Sequence, residues 1–268
     1  MKLASARPVH TRLATACSAY LSSWWSILLF GAMILSLLPT SLNKKNRHAC
    51  AHHLVDSTVL NLAWFTVLSA LISVVLIRIV IVTALSYGLS RFAIEMVVRV
   101  LVLELIPLSA ALFVALRCSL PDSAELAQMS NQGRFIQMRR LGQDPLQQEF
   151  FPRVLAGVFC VWMLGALSCV MTLLLTYFAM YGFTPWGLPA YTRVVGQVFS
   201  SAVTVILALK IFFFSLAVAF IPMASAYYEE LIDASQRRTY FATGLVAMVR
   251  LFAVLLAIEV ISLMGNYY

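Results

Sequence analysis

The sequence predicts an all-α, polytopic membrane protein: an N-terminal interfacial helix, then five transmembrane helices with a cytoplasmic coupling connector between the second and third. Three observations predict it. Of the 268 residues, 62% are hydrophobic and only 11% charged, and the mean hydropathy is +0.89; soluble domains carry roughly a quarter charged residues. Several apolar runs exceed the roughly 18–20 residues needed to cross a bilayer. The short alternating segments of a membrane β-barrel are absent. The net charge of +8 is accounted for by basic cytoplasmic loops, so no nucleic-acid partner is inferred. The five cysteines (Cys17, Cys50, Cys118, Cys160 and Cys169) are scattered and odd in number, which argues against a disulfide framework. Cys160 and Cys169 read as small apolar packing residues.

The whole chain, 1–268, is expected to be a single membrane domain. Residues 20–39 hold an apolar run opened by Trp24 and Trp25 and closed by Pro39. No good small-residue cleavage site follows it, as a removable leader requires. Both flanks are basic: Lys2, Arg7 and Arg12 before it, Lys44, Lys45 and Arg47 after. A spanning helix would put one of these clusters on the wrong side, so the segment is expected to lie in the interface. Residues 43–56 follow, with His48, Cys50, His52 and His53. Such a cluster can bind a metal, but no second ligand group occurs to close a site, and a solvated basic turn is the simpler account.

The first span is expected over 57–87, interrupted by Arg78. An arginine within a span must snorkel, pair or face a wet cavity. Ser86-Tyr87-Gly88 makes a turn, and the second span covers 90–117. It carries Arg91, Glu95 and Arg99 at four-residue spacing, hence on one helical face. They form either a self-neutralising ladder near the outer surface or a polar wall for a charged lipid headgroup. Glu104 lies five residues further on and drifts off that face.

The connector, 118–152, reads as helix, break, helix. Ser119 is placed to cap a helix with Pro121 in its first turn. Gly133 interrupts it, Gly142 ends a second piece, and Asp144-Pro145 starts a third. Five arginines from Arg117 to Arg153 put this side in the cytoplasm. Three spans remain, over 153–182, 195–227 and 241–264. The loop with Trp186 carries a single charge and is expected outside; the charged loop 228–240 is expected inside. Lys210 lies within the fourth span, and Arg250 and Glu259 within the fifth.

Chemistry is sparse. The sequence has no phosphate-binding G-x-x-x-x-G-K-[ST] loop, no G-x-G-x-x-G, no H-E-x-x-H and no G-x-S-x-G. All four histidines precede residue 54. No cofactor is expected in this chain. If the protein does energetic work, another chain supplies the energy, and the connector is where a cytoplasmic motor would push.

The central stretch is similar to the MlaE family, the permease subunits of bacterial ABC systems that move phospholipid with MCE-domain partners. The residues that carry the resemblance are Glu104, Leu105, Pro107, Ala110, Ala111, Arg117, Ala124, Glu125, Gly142, Asp144, Pro145, Pro152, Arg153, Ala156 and Gly157, in order and without a gap. Lys210 and Glu259 stand where the family places a lysine and an acid. The sequence departs from the family at Ile106, Leu116, Ser119 and Gly133, three of which replace glycines and one an acid. The resemblance implies a permease in the bacterial inner membrane that moves phospholipid or a related lipid. It also implies a second permease copy (identical or paralogous), a cytoplasmic ABC ATPase that binds the ATP, and a periplasmic MCE-domain protein. On this resemblance the motor contacts are Glu125, Gln137, Arg139, Arg140 and Asp144. The lipid-cavity candidates are Arg78, Arg91, Glu95, Arg99, Lys210 and Glu259. Two other readings stand beside it: an intramembrane lipid-modifying enzyme, for which the spans offer few acidic, His or Ser groups at one depth, and a non-transporting scaffold subunit.

Overall fold

The computed structural model describes residues 24–37, 44–88, 92–230 and 240–267, with the side chains of 44–61, 85, 229–230, 240–243 and 266–267 not described. These residues are helical apart from short turns, and they contain no strand. The helices are α1 (Trp24–Leu37), α2 (Lys44–Ser86), α3 (Ala93–Asn131), α4 (Arg134–Arg140), α5 (Leu146–Tyr181), α6 (Leu188–Val198), α7 (Ser201–Glu230) and α8 (Tyr240–Tyr267). Five of them contain stretches long and apolar enough to cross a membrane: Leu62–Ala84, Ala93–Asn131, Leu146–Tyr181, Ser201–Tyr228 and Gly244–Gly265. The chain is a multi-pass membrane protein.

Proline sets the local shape of the longest helices. Wide, π-helical turns occur at Val97–Leu105, Ala115–Ser119 and Leu146–Phe150. Each ends two residues before a proline: Pro107, Pro121 and Pro152. A proline has no N–H to give the carbonyl four residues back, and its ring crowds that carbonyl. Widening the preceding turn relieves the clash and keeps the helix continuous. Pro222, inside α7, has no such turn before it.

The predicted helix start at Ser119 is therefore absent. Ser119 is buried, keeps helical dihedrals and makes no capping hydrogen bond. It instead faces α5, where a Cβ on Gly157 would lie 3.6 Å from its hydroxyl and 3.6 Å from Ala219 of α7. Small residues let α3, α5 and α7 approach closely here, as membrane helices need without a hydrophobic drive between them. The fourth span also starts later than expected. The chain leaves helix at Phe199, with ψ of 59°. Ser200 then caps α7 loosely, its Oγ accepting the Val203 N–H at 3.4 Å, so α6 is a separate helix. The backbone of 44–56 is helical and continuous with α2 rather than a turn. The side chains of His48, Cys50, His52 and His53, and all of Arg91, lie outside the described residues.

Three of the four buried clusters among the described residues succeed one another along the bundle. At the connector end, Phe30, Ile34, Leu126, Phe135, Phe150 and Met223 pack together. Midway, Ala110, Ala111, Val114, Leu164, Phe214, Leu251 and Leu255 do so. At the far end the cluster is Ile94, Val98, Val102, Leu103, Tyr191 and Val198. Helix α3 is the centre, 61% of its apolar stretch being buried, whereas α8 is peripheral at 17%. α2 runs along α5, and α8 along α7. At about 1.5 Å per residue α1 is roughly 21 Å long, short of the ~30 Å hydrocarbon core. It seats Phe30 against Phe150 and Tyr227 at centroid distances of 6.1 and 5.5 Å.

Candidate functional site

Two polar assemblies stand out in this apolar bundle: the connector and a charge cluster inside the helices. The connector begins where α3 outruns its apolar part. Gln132 and Gly133 turn the chain, Gly133 taking a φ of +72° that side-chain-bearing residues avoid. Short α4 follows, held down by Phe135, which is buried against Phe150 at 5.8 Å. Gly142, at φ +71°, ends it. Asp144 then opens the next helix, its Oδ1 accepting the Leu146 N–H at 3.1 Å. Gln137, Arg139, Arg140 and Asp144 are all exposed on this projection, together with Ile136 and Leu141.

Arg153 closes the base of the projection. It is only 7% exposed. Its Nη1 donates to the Asp122 carbonyl and lies against Glu125 Oε2, both at 3.3 Å, and its Nη2 donates to Glu149 Oε2 at 3.3 Å. One guanidinium thus ties the end of α3 to the start of α5, using the fork geometry that lysine lacks. Glu125 therefore belongs to the base of the connector, while the other four predicted motor residues lie on its outer surface.

The second assembly centres on Lys210, which is 2% exposed. Its Nζ contacts the carboxylate of Glu104 on α3 and lies 2.9 Å from Glu259 Oε2 on α8. The Glu104 contact is a hydrogen bond, and Glu259 adds a second ion pair to the same ammonium. Lys210 Nζ also donates to the Leu103 carbonyl at 3.2 Å and lies 5.8 Å from the Phe214 ring centroid. Pro107 explains the carbonyl. It has no N–H to offer Leu103, four residues earlier, so that oxygen is open to another donor. The pair of Glu104 and Pro107 therefore presents a carboxylate and a carbonyl to the same ammonium. At 1.5 Å per residue the cluster lies about 9–16 Å from the helix ends opposite the connector. Burying ions costs several kcal/mol each, recovered only through close pairing of this kind.

The other described cavity candidates, Arg78, Glu95 and Arg99, do not join this cluster. Arg78 is exposed on α2. Glu95 and Arg99 pair with each other at 3.0 Å, both more than a third exposed, as the spacing predicts. Of the five described candidates the structure brings together two pairs, Glu95 with Arg99 and Lys210 with Glu259, and to the buried second pair it adds Glu104. Arg153 is the other residue missing from the expected functional set. Both Glu104 and Arg153 had a signal in sequence: a carboxylate three residues before a mid-span proline, and an arginine just after a helix-opening proline with Glu149 four residues before it.

Residues 50–264 match the family described as Permease MlaE. No curated protein matches the chain. The matched region takes in four apolar spans whole and the fifth up to Met264, the connector with Arg153, and the Glu104–Lys210–Glu259 cluster, and the chain belongs to the MlaE permease family.

Proposed function

We propose that this permease is the membrane subunit of an ABC system that moves phospholipid or a related lipid. A separate ATPase drives it through the connector. The observation that carries the reading is the connector itself: an exposed polar projection with Gln137, Arg139, Arg140 and Asp144 on its surface and a buried arginine fixing its base. A load applied to such a projection passes into α3 and α5 together, because Arg153 binds both. α3 is the most buried helix and carries Glu104. Movement of α3 against α7 and α8 therefore strains the Glu104–Lys210–Glu259 cluster, which acts as the latch of the closed bundle. A driven equilibrium of this kind needs contacts that differ between its two states, and the latch supplies them.

On this reading Lys210 and Glu259 hold the bundle closed, while Arg78, Glu95 and Arg99 remain candidates for lipid headgroup contact, with Arg91 beside them in sequence. The protein works as a pair of permease copies in a bacterial inner membrane. The connector faces the cytoplasm, ATP is bound by the partner ATPase, and an MCE-domain protein sits at the opposite side. Purification of the chain with its native neighbours tests the reading. An ATPase should accompany the wild type and be lost on R139E/R140E; a stable chain with no ATPase, under conditions that preserve complexes, would refute it.

A further inference from the structure

The end of the bundle opposite the connector carries an exposed aromatic surface that the transport reading does not use. Along α5, Phe159, Met163, Val170, Leu174 and Phe178 recur at helical spacing and are all between 41% and 54% exposed. An exposed apolar stripe of this kind along a span is the surface that lipid would cover. It does not stop with the helix. Phe178 packs on Phe183 of the following loop at a centroid distance of 4.9 Å, and Phe183 and Trp186 are each 91% exposed.

The loop that presents these rings is tightly built. Gly182 turns it out of α5 with a φ of +65°. The Tyr177 hydroxyl donates to the Thr184 carbonyl, and the Thr184 hydroxyl donates to the Tyr181 carbonyl at 2.8 Å. Tyr177 stacks on Tyr181 at 5.6 Å and meets Tyr191 of α6 edge-on at 5.4 Å. The Tyr191 hydroxyl donates to Leu173 O at 2.8 Å, and burial pushes its phenol up to about 12, so it remains a donor at neutral pH. A Cβ on Gly187 would overlap the Tyr181 ring, so that position is fixed as well. Two large rings are thus held outward by a packed base, in a stretch with no charged residue between Arg153 and Arg193.

We propose that Phe183 and Trp186 form a pre-shaped anchor seated in the headgroup–acyl boundary of the leaflet at that end. The occupant is bilayer lipid, because the surface continues the exposed apolar stripe of α5 without a break and bears no charge. Amphipathic rings such as Trp favour this depth, and a rigid loop places them there without an ordering cost. The anchor fixes the height of the α5–α7 hairpin relative to the membrane surface.

The test uses the full chain in phosphatidylcholine vesicles, with bromine atoms placed either near the headgroup end of the acyl chains or near the bilayer centre. A variant keeping only Trp186, with Trp24, Trp25, Trp64 and Trp162 changed to Phe, reports its fluorescence directly. If that variant does not fold, the difference between the wild type and W186F gives the same quantity. The Trp186 emission should lose more intensity to the shallow bromines than to the deep ones, and little to aqueous acrylamide. Quenching by acrylamide and by neither lipid would put the rings in water and overturn the proposal. Quenching by none of the three would mean a second copy or another protein covers them, and stronger quenching by the deep bromines would place them in the core; either result also overturns it. None of these readouts depends on an ATPase or on lipid movement.

Discussion

Replacing Lys210 by methionine removes the only part of the latch that joins three helices while keeping the length of the side chain. Lys210 is 2% exposed, and its ammonium contacts Glu104, Glu259 and the Leu103 carbonyl. Loss of one partner of a buried ion cluster leaves the others uncompensated and costs about 3–5 kcal/mol. E104Q or E259Q should cost less, about 1.5–3 kcal/mol, because each leaves Lys210 one carboxylate and an amide oxygen. Converting all three in E104Q/K210M/E259Q removes the charges together and should recover most of the K210M deficit, since well-packed neutral substitutes for buried ion clusters are often tolerated. Reversible denaturant titration in detergent micelles measures each difference. A K210M protein within about 0.5 kcal/mol of the wild type, the range of ordinary surface changes, would refute the reasoning and mean that the cluster is solvated rather than holding α3, α7 and α8 together.

The connector yields three further predictions. R153A should strand Glu125 and Glu149, cost about 1.5–3 kcal/mol as a loss of charge-assisted hydrogen bonds, and open residues 132–145 to limited proteolysis; R153K should restore only part of the resistance, because an ammonium cannot reproduce the fork. G133A and G142A meet no steric obstacle within 4 Å, so each should cost only about 1–2 kcal/mol from its positive φ, read as a lowered unfolding midpoint. R139E/R140E should lower the amount of ATPase recovered with the chain far more than it lowers the unfolding midpoint of the isolated chain, since both side chains are exposed.

The membrane class, the five spans and the turns at Gly133, Gly142 and Asp144 were legible in the sequence, because hydropathy and turn chemistry are local. Glu104 was not. A face drawn at 3.6 residues per turn assumes a regular α-helix, and the wide turn over Val97–Leu105 changes the register just before the residue that matters. The cause, Pro107, is itself in the sequence, but its effect on Leu103 and its use by Lys210 appear only when α7 is placed beside α3. Ser119 misled for a related reason. Ser-x-Pro is a good helix-start pattern, yet here the helix was already running, and burial against Gly157 outweighed the cap. Arg153 counted only as one of the connector's basic residues because its partners Asp122 and Glu125 are far away in sequence. The separate helix α6 was hidden because the break at Phe199 uses neither Pro nor Gly.

The most direct test of the account is ATP-driven lipid movement in vesicles holding the chain with the ATPase that copurifies with it. Fluorescent phospholipid should redistribute only when ATP is hydrolysed, and R139E/R140E should abolish the redistribution. A complex that stays assembled and hydrolyses ATP while the lipid distribution remains unchanged would contradict the account.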